Sequence, residues 1–156
     1  MQLTGKLLIT DAAPCGIISF ELAGSVTKIE KILASWDNDT KVRVAFNLGF
    51  DFLFIPVYVS TIVLGCGIIA KTLQKHKRPI SSLGSLLAWG VILAGFMDIV
   101  ENVALVKIIF GTVASPWPEI AQWSAILKFS LIIFGLVFII YGSVVYLTVS
   151  KSRNTE

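Results

Sequence analysis

Asp98-Ile99-Val100-Glu101-Asn102 sets two carboxyl groups and an amide inside a stretch that is otherwise apolar. Spacings of three and four put all three polar side chains on one side of a helix. Proton transfer, cation coordination and hydrogen bonding to a polar ligand are the chemistries open to such a set. A charged side chain at a bilayer centre costs from about 2.5 to above 10 kcal/mol, so ionisable residues there normally face a partner, a cavity or a pathway. Two other apolar stretches carry polar stripes of their own. Asn47, Asp51, Tyr58 and Gly65 share one face, with Arg43 a turn before Asn47; Ser124, Lys128, Gly135, Gly142 and Tyr146 share another. The expected polar cluster is Asn47, Asp51, Asp98, Glu101, Asn102 and Lys128, backed by Glu21, Arg43, Tyr58, Ser124 and Tyr146. Within it, Lys128 is expected to pair with Glu101 or Asp98, and Arg43 with Asp51. Acids then outnumber inward bases, so at least one carboxyl is expected to hold a proton or share one.

Two readings of this cluster compete. Buried polar groups can fix helix pairing and register and do nothing else. Alternatively they line a cavity open to the outer side that takes a cation, a proton or a lipid head group.

The elements that must position these residues are membrane helices. Of 156 residues 55% are apolar and 15% charged, against about 25% charged in soluble domains, and the mean hydropathy is +0.82. The windows 52–70, 79–97 and 129–150 contain no charge and are 19 to 22 residues long. About 20 apolar residues cross a ~30 Å hydrocarbon core, so three spanning helices are expected, over 44–70, 82–110 and 119–150. Residues 7–24 are apolar but interrupted by Asp11, Pro14 and Glu21. Asp11 breaks the apolar core a signal peptide would need, which leaves a fourth full span or a partly inserted segment. Val26, Ile29, Ile32, Leu33 and Trp36 recur at helical spacing, with Lys28, Glu30 and Lys31 opposite, which predicts an amphipathic interfacial helix over 26–37. The fold class is therefore an all-α integral membrane protein: a small four-helix transmembrane bundle in a single domain, 1–156. From helix ends near Phe46, Phe110 and Ile120, Asp51 lies about 8 Å deep, and Glu101, Asn102 and Lys128 about 12–14 Å.

Basic residues orient the path. Lys71, Lys75, His76, Lys77, Arg78, Lys151 and Arg153 flank the apolar windows, whereas the link 111–120 has none. Both basic flanks belong in the cytoplasm. With four crossings both termini and Lys6 are cytoplasmic too, and a bacterial inner (plasma) membrane is the expected location. Trp36, Trp117 and Trp123 are expected at the outer interface as an aromatic belt.

Several function classes are excluded or weak. The bases form no face interleaved with aromatics, so no nucleic-acid partner is expected. His76 is the only histidine, no C-x-x-C occurs, and Cys15 and Cys66 fall at different depths; bis-histidine haem and thiol redox chemistry drop out. A carboxylate-only metal site of Asp51, Asp98 and Glu101 is the lesser alternative, and no metal or cofactor is expected. Nucleophile-base pairs, P-loops and dinucleotide fingerprints are missing. The leading expectation is a non-enzymatic accessory or assembly subunit of a membrane complex, or a binder of a small amphiphile. Its partners would be membrane lipids and a protein partner or second copy within the membrane. The alternatives are a proton- or cation-coupled transporter or channel subunit using the carboxylates, and a lipid-modifying membrane enzyme.

Overall fold

The computed structural model describes residues 8–75, 79–111 and 113–153; Lys6 and the His76-Lys77-Arg78 part of the basic link lie outside them. The chain is all-helical, with 86% helix and no strand among the described residues. In order come α1 (Ile17–Glu21), α2 (Val26–Ser35), α3 (Asn38–Lys75), a 3-10 turn (Pro79–Ser82), α4 (Leu83–Phe110) and α5 (Trp117–Arg153).

Among the described residues three helices are long and apolar enough to cross a membrane. Residues 8–24 form no such helix. Their one α-helix, α1, has five residues and rises about 7.5 Å, far short of ~30 Å. Gly16 and Gly24 explain where it stops. Both have positive φ, 60° and 63°, a conformation that breaks a helix at either side and that glycine adopts without steric cost. At Gly24 a Cβ would also fall on the side chain of Gln122.

The first long helix starts earlier than its hydropathy indicates. Asp37 Oδ1 accepts a hydrogen bond from the backbone N–H of Thr40 at 2.8 Å. That is the N-cap to third-residue bond, so the polar Asp37-to-Thr40 stretch is the first turn of α3 and not a separate turn. Pro56 sits inside α3, where it removes one backbone hydrogen bond. Pro118 falls in the first turn of α5, where the missing N–H has no helical acceptor to lose.

The chain divides into two compact units, one of Met1–Ile55 with Phe96–Leu127, the other of Pro56–Gly95 with Lys128–Glu156. The core of the first contains Phe20, Ile29, Ile32, Trp36, Val44, Leu48, Leu105 and Ile108. The amphipathic pattern of α2 is borne out here, since Ile29 and Ile32 are its buried residues. Trp36 departs from the interfacial expectation. It is 3% exposed, its ring lies 5.3 Å from that of Phe20, and its Nε1–H donates to the carbonyl of Leu8 at 3.1 Å. An indole with an acceptor for its N–H can be buried in full. Trp123, in contrast, is largely exposed.

The second unit packs Ile62, Cys66, Ile69, Leu73, Val91 and Phe138. Small residues make this possible. A Cβ on Gly135 would meet Val91 at 2.9 Å and Ile62 at 3.1 Å, and one on Gly65 would meet Ile139 at 2.7 Å. Backbones bearing glycine approach more closely than any side chain would permit.

Candidate functional site: a buried cluster of carboxyl and amide groups

The first unit takes Asp51 from α3 and Asp98, Glu101 and Asn102 from α4. Asn102 Nδ2 donates to Asp51 Oδ2 at 2.9 Å, a bond between α3 and α4 within this unit. Asp98, Glu101 and Asn102 are 3%, 0% and 1% exposed. Helical spacing accounts for this shared burial: Asn102 is one turn beyond Asp98 and Glu101 lies between them on the same side. Their neighbours on that side, Ala94 and Leu105, are buried as well. Asn102 Oδ1 is enclosed and accepts no hydrogen bond among the described residues.

Around this pair the remaining expected residues are distributed unevenly. Asn47, one turn before Asp51, is half-buried, and Glu21 and Ser124 are buried in the same unit. Arg43 is exposed and its charge helps to lower the pKa of Asp37. Arg43 and Asp51 are eight residues apart, about 12 Å along the helix, beyond the reach of one side chain. The expected Arg43–Asp51 pair is thereby corrected: Asn102 is the group that meets Asp51. Lys128 belongs to the second unit, where it is buried and its Nζ stands 4.9 Å from the ring centroid of Phe129. Tyr58 is half-buried in that unit's core, and Tyr146 is exposed beside a surface groove.

Among the described residues no group of three His, Cys, Asp or Glu side chains could hold a metal ion. Both cysteines are free, Cys15 exposed and Cys66 buried. What the arrangement does chemically is to present carboxylate and amide oxygens in an enclosed, apolar setting. Asp51, Asp98, Glu101 and Asn102 line none of the surface grooves at α2, at the ends of α3 and α5, or at Lys107 and Trp117.

Residues 8–24 contribute contacts that no periodicity announces. Thr10 and Ser35 join hydroxyls at 2.8 Å, and Gln122 Nε2 donates to the carbonyl of Leu22 at 3.0 Å. Together with the Trp36–Leu8 bond these tie the N-terminal segment to α2 and α5. The one signal for this in the sequence is the pair Gly16 and Gly24.

Compared with known protein families, curated proteins and solved structures, the chain matches none.

Proposed function

We propose that this chain is an integral membrane protein with three crossings that acts, without catalysis of its own, as an accessory or assembly subunit of a membrane complex. The membrane part of the reading rests on what the long helices leave uncovered. Only 17% to 28% of each apolar window is buried, and Phe46, Leu64, Trp89, Phe134 and Ile140 are among the side chains left open. Helices apolar on all sides need an apolar surrounding. Three crossings revise the path. Lys71, Lys75 and the basic tail stay cytoplasmic by the positive-inside rule. The link 111–116, the start of α3 and the segment with α1 and α2 then lie outside, so the two ends of the chain are on opposite sides.

The observation that carries the subunit reading is the packing of glycine on α3. Gly49, in the first unit, and Gly67, in the second, have nothing within 4 Å of where a Cβ would stand. Small residues are the positions at which membrane helices approach one another, and these two are not used within the chain. Catalysis is disfavoured because Asp98, Glu101 and Asn102 are enclosed, with no groove leading to them among those described.

Purification of a tagged chain in mild detergent followed by native mass spectrometry tests the reading. The expected result is a bound partner chain or second copy, lost on Gly49→Leu or Gly67→Leu without a fall in the melting temperature of the chain itself. A lone monomer from the wild-type chain would count against it.

A further inference from the structure

The N-terminal segment and α2 enclose a groove of about 360 Å³ in the first unit, within the ~300–1,000 Å³ of small-molecule sites. Ile18, Leu22, Ala23 and Ile32 form its apolar wall, and Lys28 and Lys31 are its charged residues. Ile18 and Leu22 stand one turn apart and remain exposed, 45% and 36%. The two lysines are spaced by three on α2, so they share a side, while Glu30 projects from a different one. No carboxylate lines the groove. Apolar wall and cationic rim together call for an occupant that is apolar along one part and anionic at one end. Two residues, Trp36 and Asp37, separate the end of α2 at Ser35 from the start of α3 at Asn38. Val42 and Phe46, exposed on the second and third turns of α3, bring the hydrocarbon boundary within reach.

We propose that this groove holds an anionic phospholipid of the bilayer, with an acyl chain along Ile18, Leu22 and Ile32 and the phosphate at Lys28 and Lys31. Lysine stems lie along apolar surface while their ammonium groups meet the head group. The proposal rests on the membrane placement argued above and not on the subunit role.

Cys15 lines the groove and is exposed, whereas Cys66 is buried, so alkylation of Cys15 by a neutral maleimide reports occupancy. The full chain is reconstituted in phosphatidylcholine vesicles with or without phosphatidylglycerol, and modification at Cys15 is read by peptide mass spectrometry. Phosphatidylglycerol is expected to slow the reaction and to survive as an adduct in native spectra. In Lys28→Gln/Lys31→Gln the slowing is expected to vanish and adduct retention to fall about thirtyfold, the scale of two surface lysine contacts. Equal rates in both lipids, or slowing that persists in the double variant, would overturn the proposal while leaving the membrane reading intact. Protection that appears in lipid-free detergent as protein concentration rises would assign the groove to a second copy and overturn it as well. A chain that fails to float with either vesicle would overturn the membrane reading, and this proposal with it.

Discussion

Asn102 and Asp51 form a bond whose weight depends on what is left when one side is removed. A side-chain hydrogen bond between membrane helices is worth about 0.6 kcal/mol on average and up to about 1.7, but a buried polar group stripped of its partner costs about 1–3 kcal/mol. Asn102→Leu is therefore expected to lower stability in detergent by about 1–2 kcal/mol. Asp51→Asn, which keeps an acceptor oxygen, should cost less. Asp51→Leu combined with Asn102→Leu should recover part of the loss, because neither partner remains unmet; thermal unfolding of the four chains completes the cycle. At the start of α3, the hydrogen bonds from Thr40 hold the Asp37 carboxyl below its ordinary value of 3.8. A depressed carboxyl stabilises the fold above its unfolded-state value and loses that contribution as pH falls through the folded one. The Thr40 amide resonance should thus titrate with a midpoint below 3.8, and Asp37→Ala should abolish the transition.

At the scale of elements, glycines separate faces that are used from faces that are not. Gly142 on α5 lies where a Cβ would fall on Ile69 Cγ2, with Leu73 3.4 Å away. An overpacked position typically costs about 1–3 kcal/mol, so Gly142→Ala should lower the melting temperature. Gly49→Ala meets nothing and exchanges a poor helix former for the best one, a gain of about 0.5–1 kcal/mol. Opposite shifts for the two variants in one detergent would check the packing directly; equal shifts would contradict it. The short elements depend on tertiary contacts in a different way. Five residues of α1 cannot sustain a helix alone, and Phe20 holds it by packing into the core beside Trp36.

For the whole molecule the number of crossings is the property with most consequence. The proposed three crossings would place Cys15 on the side opposite the C-terminal tail. A membrane-impermeant thiol reagent applied to intact cells should modify Cys15 and spare Cys66, while a C-terminal epitope becomes accessible only after permeabilisation. Four crossings, with the N-terminal segment spanning, would leave Cys15 within the bilayer and unreactive to that reagent. The uncovered apolar surface has a second consequence, because without detergent or lipid the chain should associate through it.

The amphipathic stripe of α2 and the three long apolar windows were legible from the sequence because each depends on local periodicity and length. A helix must turn every 3.6 residues and a span needs ~30 Å, whatever its neighbours are. The burial of Asp98, Glu101 and Asn102 was legible for a similar reason, since residues three and four apart share a side. Which group would meet Asp51 was not. Charge complementarity nominates Arg43, but Arg43 and Asp51 are two turns apart on one helix, whereas Asn102 is brought to Asp51 by packing between residues far apart in sequence. Residues 8–24 were left open for the complementary reason. Their hydropathy suits a membrane segment, yet their structure is set by Gly16, Gly24 and long-range bonds to Trp36 and Gln122. Local composition determined the class and the long helices of this protein; only the tertiary structure decided the partners of its buried polar groups and the groove at α2, because both depend on contacts between residues that no sequence spacing relates.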